Sequence, residues 1–275
     1  MKVDVNSYNK NGYLLIQDFF SKEEVNAILK KAKGVFSRQF YRNSYLDTDD
    51  ISMISEKKFN QCLYRLFEED KDALMNCGKQ IQHLIDLHRL SLDSRIENLL
   101  YEIGLKEPNI STRPVMYFNN PALAKQKVYH TVDAHQDWRS MQGSLNSVVI
   151  WFPLIDINND LGALQILPKS HLDGLRTDFM HSGFGMVKLS KEEEKRLKSV
   201  ELIKGDILLF SSFLIHQSGN NITDKPRWSC HFRYNDIAEK TFIQRKFPHP
   251  YIYRPQDTLI TEDFPTKDDI TKIFN

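Results

Sequence analysis

The chain has 275 residues, and its 37 lysines and arginines almost balance 36 aspartates and glutamates, for a formal net charge of +1. This balance gives no sign of a polyanionic partner, so we expect no nucleic-acid binding. The length suits one domain with a buried core, no Pro/Gly/Ser-rich linker divides the chain, and no apolar run approaches the ~20 residues that span a bilayer.

Cysteine usage and the first residues bear on the compartment. Cys62, Cys77 and Cys230 are odd in number and have no metal-binding spacing, which indicates free thiols in a reducing compartment. Residues 1–20 hold only a short apolar run without a small-residue cleavage site, so we expect no signal peptide. These observations favour a cytoplasmic protein.

The first predicted elements are a strand and a helix. Residues 12–20 (GYLLIQDFF) read as a strand and a turn, and Ser21 with Glu24 forms a capping box that begins a helix. Phe20 before the cap can pack onto the first turn of that helix. Apolar residues recur at helical spacing and predict a buried stripe: Val25, Ile28, Leu29, Ala32, Val35 and Phe36.

A second helical region runs from about Leu66 to Gly104. We expect a break near residues 91–93, where Ser91 or Asp93 could cap a further helix. These helices should pack on the outside of a sheet.

Beyond Pro108 the pattern changes to short strands separated by turn signals such as NND, KGD and SGNN. The predicted strands are 114–118, 147–154, 163–167, 206–210 and 227–234. Many short strands after a helical start favour a mainly β jelly roll, a cupin-like double-stranded β-helix with flanking helices. We therefore expect one domain over 1–275, with a helical part at about 20–104, a jelly-roll core at about 108–240 and a C-terminal tail at 241–275.

The motif His135-Gln136-Asp137 is followed about eighty residues later by His216 and then by Arg227. Residues two apart on a strand share a face, so His135 and Asp137 should point the same way. Two imidazoles and one carboxylate are the ligand set of non-haem Fe(II) oxygenases. The guanidinium of Arg227 suits a carboxylate partner.

Two stretches around these residues resemble the phytanoyl-CoA dioxygenase family. They are AHQDWRSMQGSLNSVVIWFPLIDINNDLGALQILPKSH and KGDILLFSSFLIHQSGNNITDKPRWSCHFRYND, and the likeness covers roughly residues 10–240. The resemblance implies a jelly roll that uses Fe(II), 2-oxoglutarate and O2. It places the iron ligands on His135, Asp137 and His216, and the 2-oxoglutarate carboxylate anchor on Arg227.

The resemblance also matches Trp151 and Ser218 to cosubstrate contacts. Core packing explains Trp151 equally well, and a turn explains Ser218. Two details are specific to this chain: Lys169 stands where the family usually has glycine, and Asp137 stands where related halogenases have a small residue. The presence of Asp137 favours an oxidising enzyme that is not a halogenase.

Strand parity gives further pocket candidates. If Arg227 points into the barrel, Ser229, His231 and Arg233 share its face, unless a bulge resets the alternation. With Arg139, the residues His231 and Arg233 are candidate contacts for a polar or anionic substrate. Residues 172–199 form a long insertion of the kind that covers sites as a lid.

Together these features predict a dioxygenase that hydroxylates a small polar or anionic metabolite and releases succinate and CO2. Desaturation and cyclisation are open outcomes of the same chemistry. The alternatives are a jelly-roll metal enzyme without 2-oxoglutarate, a non-catalytic metal-binding protein of the same fold and a purely structural jelly roll. The sequence leaves the oligomeric state open.

Overall fold

The computed structural model describes residues 3–119, 132–176, 179–181, 184–251 and 266–274. The helices are α1 Val5–Asn11, α2 Lys22–Arg42, α3 Glu56–Glu69, α4 Lys71–Gln80, α5 Ile85–Ser91, α6 Ser94–Glu102, α7 Trp138–Met141, α8 Lys191–Arg196, α9 Lys240–Gln244 and α10 Lys267–Phe274. The strands are β1 Tyr13–Ile16, β2 Pro108–Asn119, β3 Val148–Pro153, β4 Leu164–Ile166, β5 Phe179–His181, β6 Phe184–Met186, β7 Lys198–Val200, β8 Ile207–Ser211, β9 His216–Gln217 and β10 Arg227–Asp236. Short 3-10 turns occupy Ile51–Met53, Ile81–His83 and Ser170–Asp173.

The capping box predicted before α2 is confirmed. The Ser21 hydroxyl accepts from the Glu24 amide, and the Glu24 carboxylate accepts from the Ser21 amide. These bonds satisfy two backbone groups that the first turn of a helix leaves free. The predicted stripe faces the core: Val25, Ile28, Leu29, Ala32 and Phe36 are buried, and Val35 is partly buried.

The second helical region begins earlier and breaks more often than predicted. Helix α3 already starts at Glu56, after a Ser55 cap, so a start near Leu66 is wrong. Asp70 ends α3 and caps α4 by accepting from the Ala73 amide. Asp93 caps α6 by accepting from the Arg95 amide, as predicted. The extra break arises because an aspartate side chain competes for backbone amides and so favours a cap over a helix interior.

Two antiparallel sheets form the predicted jelly roll. The main sheet has the order β1-β8-β3-β10-β2, and a smaller sheet has the order β7-β4-β9. The hairpin β5-β6 joins the smaller side through a bridge between Met186 and His135. Strand β1 pairs with β8, so the core of the fold reaches beyond the predicted limits of 108–240.

The main sheet is buried on both faces. Its outer face packs against the helices, with Val148, Ile150 and Phe152 of β3 among the contacts. Its inner face packs between the sheets, where Val149 and Trp151 of β3 meet residues of β8 and β4. Alternate residues of one strand therefore enter different cores. All three cysteines are unpaired and buried, as predicted.

Strand β10 keeps its alternation. Trp228, Cys230, Phe232 and Tyr234 belong to the helix-side core, which turns the intervening residues toward the interior. Register shifts between β10 and β2 lie near His231 and Arg233, but the extra residues are in β2, whereas pairing with β3 is unbroken. The predicted parity of β10 is confirmed.

The described part of the segment 172–199 contains regular secondary structure. It contains β5, β6, α8 and the start of β7. Before it, Lys169 has φ +73, the left-handed region that favours glycine, which explains why glycine is usual there. No helix in the described ranges is long and apolar enough to cross a bilayer.

Candidate metal centre

The backbone joins the two histidines before any metal is considered. The His135 amide donates to the His216 carbonyl at 3.0 Å, and the His216 amide donates to the His135 carbonyl at 3.1 Å. This reciprocal pair forms an antiparallel bridge between the HQD segment and β9. The two ring centroids lie 4.2 Å apart. Two residues about eighty positions apart are thus held side by side by main-chain bonds.

Asp137 completes the cluster. Its Oδ1 lies 3.8 Å from His135 Nε2, and its Oδ2 lies 4.0 Å from His216 Nε2. One ligand atom from each of the three residues falls within 4.8 Å of the others, so they could hold a metal ion. His216 and Asp137 are buried, and the His135 side chain is 16% exposed. A turn after the bridge, followed by α7, places the carboxylate on the side of the imidazoles.

Main-chain carbonyls fix the tautomers of both imidazoles. Nδ1 of His135 contacts the Asp133 carbonyl at 2.8 Å, and Nδ1 of His216 contacts the Leu214 carbonyl at 2.9 Å. A carbonyl only accepts, so each Nδ1 donates, and each Nε2 keeps a lone pair directed at the centre. Burial, then His135, lowers the pKa of His216 to about 4. His216 is therefore neutral at pH 7, as metal binding requires.

Arg233 pairs with the carboxylate of the cluster. Its Nη2 donates to Asp137 Oδ1 at 2.8 Å, and both side chains are nearly inaccessible. Burial alone would raise the pKa of Asp137, but Arg233, followed by His216 and His135, outweighs it and holds that pKa well below its usual range. The carboxylate is therefore an anion at neutral pH.

Gln136, between the two ligands, points the other way and ties three segments together. Its amide nitrogen donates to the Phe213 carbonyl at 2.7 Å and to the Gly174 carbonyl at 2.8 Å. Its amide oxygen accepts from the Arg176 amide at 2.7 Å. This role could not be predicted from the sequence, because all three partners are distant main-chain groups. The only sign of this role in the sequence is the position of Gln136, a polar residue between two predicted metal ligands that alternation turns to the opposite, buried side.

Arg227 lies on the interior face of β10 and is 2% exposed. It donates to the Gly162 carbonyl and, at 3.3 Å, to the Ser218 hydroxyl, while its Nε has no partner. Within the described ranges no carboxylate forms an ion pair with it. Burial lowers the pKa of Arg227 to about 10, so it remains a cation at neutral pH.

Glycine is required beside that guanidinium. Gly162 has φ +83, and a Cβ there would lie 2.8 Å from the Gly219 carbonyl oxygen. Only glycine avoids both the strain and the clash, which lets the Gly162 carbonyl reach Arg227. The turn signal NNDLG marks Gly162 in the sequence, but its contact with Arg227, sixty-five residues away, could not be predicted from it.

The remaining predicted residues take different positions. Trp151 is 5% exposed and packs in the core between the sheets. Ser218, two residues after His216, accepts a hydrogen bond from Arg227. His231 lies opposite Trp151 in the sheet and has a buried Nε2 without a partner. Arg139 is half-buried on α7, two residues after Asp137.

A large cavity lies elsewhere in the fold. It has a volume of about 1130 Å³ and lies between the outer helices and the loops at 155–161 and 201–206. None of the predicted site residues lines it. The chemistry of the side chains therefore identifies the site better than the size of a cavity does.

Comparison with known proteins extends these observations. Residues 8–229 match the family model for phytanoyl-CoA dioxygenase (PhyH). The chain belongs to the phytanoyl-CoA dioxygenase family. It is 26% identical over 261 residues to "Phytanoyl-CoA dioxygenase domain-containing protein 1 homolog" of Dictyostelium discoideum, with 84% of this chain and 90% of that protein covered. It is 23% identical to "Phytanoyl-CoA dioxygenase, peroxisomal" of Homo sapiens, with 83% of this chain and 67% of that protein covered.

A solved structure supports the fold. The epimerase SnoN, in complex with Fe3+, alpha ketoglutarate and nogalamycin RO, matches with a TM-score of 0.57 and 16% identity, over 91% of this chain and 90% of that one. This likeness confirms the jelly roll. Family membership and the His-Asp-His cluster confirm the predicted class, an iron- and 2-oxoglutarate-dependent oxygenase. The role of each residue and the substrate belong to the proposal below.

Proposed function

We propose that this PhyH-family protein hydroxylates a small polar or anionic metabolite, with 2-oxoglutarate converted to succinate and CO2. Arg227 carries the proposal, because it is a buried cation with an unpaired Nε and it contacts Ser218, two residues after His216. Bound Fe(II), with 2-oxoglutarate and O2, supplies the oxidising power for such a reaction. The protein contributes ligands, an anion anchor and a partly enclosed interior.

We assign the iron to His135, Asp137 and His216. Two imidazoles whose Nδ1 atoms contact main-chain carbonyls, together with one ionised carboxylate, match the donor set that non-haem Fe(II) oxygenases use. Such a set leaves open positions for a cosubstrate and O2. At neutral pH His216 and Asp137 are already deprotonated, so a metal need not displace protons from these two residues.

We assign the far carboxylate of 2-oxoglutarate to Arg227. Leaving a buried cation without an anion costs free energy, and an incoming carboxylate relieves that cost through charge-assisted hydrogen bonds. The Ser218 hydroxyl, which already accepts from Arg227, can donate its proton to the same carboxylate. Trp151 would line the cosubstrate pocket from β3. A metal enzyme that does not use 2-oxoglutarate would have no need for this buried cation.

The substrate assignment rests on polar groups near the cluster. His231 has an unpaired Nε2, and Arg233 has an unpaired Nε, both buried on the interior face of β10. Unsatisfied buried donors favour a ligand that brings hydrogen-bond acceptors. We propose His231, Arg233 and Arg139 as contacts of an anionic or strongly polar substrate, with Arg233 using only the donors that Asp137 leaves free. The insertion at 172–199 would cover the substrate, as a lid.

The test is an anaerobic titration of the apoprotein with Fe(II) and then with 2-oxoglutarate, followed in the visible range. We expect the weak charge-transfer band that the iron chelate of 2-oxoglutarate produces. Asp137→Ala should abolish it, and Arg227→Ala should shift it to much higher 2-oxoglutarate concentrations. Arg38→Gln, which removes an exposed arginine on α2, is the matched control and should change nothing. Iron binding without the band would refute the 2-oxoglutarate assignment.

A substrate screen follows from the same protein. Succinate release above the uncoupled background would identify substrates, and we expect acids and polar metabolites to exceed bare hydrocarbons. The cytoplasmic location remains a prediction, because the human relative is named as peroxisomal. Fractionation of cells that express the tagged full chain would separate the two compartments.

A further inference from the structure

The ion pair between Arg233 and Asp137 divides the two oxygens of the carboxylate. Each oxygen faces one imidazole: Oδ1 lies 3.8 Å from His135 Nε2, and Oδ2 lies 4.0 Å from His216 Nε2. Oδ1 also accepts from the guanidinium at 2.8 Å, whereas Oδ2 has no hydrogen-bond donor among the described residues. The oxygens of this one side chain are therefore not equivalent. One is held by a cation, and the other is free for a metal.

The sheet keeps Arg233 in this position. Pairing of β10 with β3 is unbroken through this part of the strand and places Arg233 opposite Val149. Alternation turns the side chain toward the interior, where it is 12% exposed. A one-residue slip would turn the guanidinium toward the helix-side core, which contains hydrophobic residues such as Trp228 and Phe232. The pairing register thus supports the contact.

We infer that Arg233 is a positioning residue that makes Asp137 a one-oxygen ligand. The inference rests on the proposed function. If the guanidinium keeps Oδ1, the protein would offer a bound metal two nitrogens and one oxygen, and positions would stay open for 2-oxoglutarate and O2. A carboxylate that bound through both oxygens would remove one of these positions.

The charge of Arg233 acts in the same direction. A guanidinium beside the site repels a divalent cation and attracts the dianion 2-oxoglutarate. Arg233 should therefore weaken metal binding and strengthen cosubstrate binding. General structural damage would weaken both, so this opposition distinguishes a positioning role from a merely structural one.

The test uses the full chain with Co(II), whose visible absorption reports the number of ligands, and with 2-oxoglutarate. In Arg233→Gln we expect about tenfold tighter Co(II) binding by calorimetry, about tenfold weaker 2-oxoglutarate binding to the Co(II) form, and a changed Co(II) spectrum. Arg233→Lys keeps the charge without the planar fork and should lie between this variant and the wild type. Arg38→Gln is again the control for loss of one positive charge.

The outcomes separate cleanly. Unchanged affinities and spectrum in Arg233→Gln, or weakening of both affinities together, would overturn the inference. If removing the partner of a buried carboxylate unfolds the apoprotein, Co(II) should restore the fold by replacing the lost cation, and failure to do so would also overturn it. Wild-type protein that binds no Co(II) or no 2-oxoglutarate would instead refute the proposed function.

Discussion

Replacing Arg227 by methionine should leave the apoprotein about as stable as the wild type while it removes 2-oxoglutarate binding. Arg227 is 2% exposed and has no paired carboxylate among the described residues. Burial lowers its pKa to about 10, and a depression of this size corresponds to about 3 kcal/mol, at 1.4 kcal/mol for each pH unit. Because the charged form is the one disfavoured, the folded state carries this cost in full at neutral pH, and the cost falls as the pH rises above about 10.

The opposing term is the loss of two hydrogen bonds, to the Gly162 carbonyl and to the Ser218 hydroxyl. Each bond has a charged donor and is worth about 1.5 kcal/mol, so together they return about 3 kcal/mol and the net change for methionine is near zero. The melting temperature should therefore stay within about 2 °C of the wild type. Methionine is unbranched and fills a similar length, so large packing defects are not expected.

The assay compares thermal unfolding of wild type, Arg227→Met and Arg227→Lys, each with and without Mn(II) and 2-oxoglutarate. We expect Arg227→Met to melt within about 2 °C of the wild type as apoprotein and to gain nothing from 2-oxoglutarate. Arg227→Lys retains the buried charge but loses the planar fork of donors, so its apoprotein should melt lower than the wild type. Destabilisation of Arg227→Met by more than about 2 kcal/mol would refute this reasoning, because it would mean that groups other than Gly162 and Ser218 stabilise the cation.

Three further outcomes are expected. Asp137→Ala should abolish iron-dependent succinate formation, since it removes the anionic ligand, and substantial turnover in this variant would sink the ligand assignment. Gln136→Leu should lower the free energy of unfolding by about 2–3 kcal/mol, because its three main-chain partners lose their hydrogen bonds. Urea titrations measure this change, with the exposed Arg38→Gln as the control, and a change below about 0.5 kcal/mol would contradict the prediction. Lys169→Gly should raise the free energy of unfolding by about 1 kcal/mol, because glycine adopts the left-handed conformation of this position without strain. A loss of stability in this variant would show that the lysine side chain contributes more than the strain costs.

Local patterns predicted the features that depend on neighbouring residues. The capping box at Ser21, the cap at Asp93 and the alternation of β10 follow from rules that act over a few residues. The same alternation places His135 and Asp137 on one side of the chain and Gln136 on the other. Two-residue and three-residue strands such as β7 and β9 escaped prediction, because so short a segment carries no measurable periodicity.

Contacts between distant segments could not be predicted in this way. The sequence marked Arg233 as a pocket residue, but only the folded sheets bring it to Asp137, ninety-six residues away. Gln136 likewise has its partners on segments far away in the sequence, at Gly174 and Phe213. The break between α3 and α4 was not predicted, because Asp70 reads as one polar residue in a helical pattern until its bond to the Ala73 amide is seen.

The main-chain bridge between His135 and His216 has a consequence for descent within such a fold. Its two bonds use only amide and carbonyl groups, so a descendant that replaced both imidazoles would still close the same bridge. Substitutions that abolish metal binding could therefore accumulate by drift without loss of the fold. Activity should be inferred for any related chain from the side chains at these three positions, since the backbone would look alike in an enzyme and in its inactive descendant.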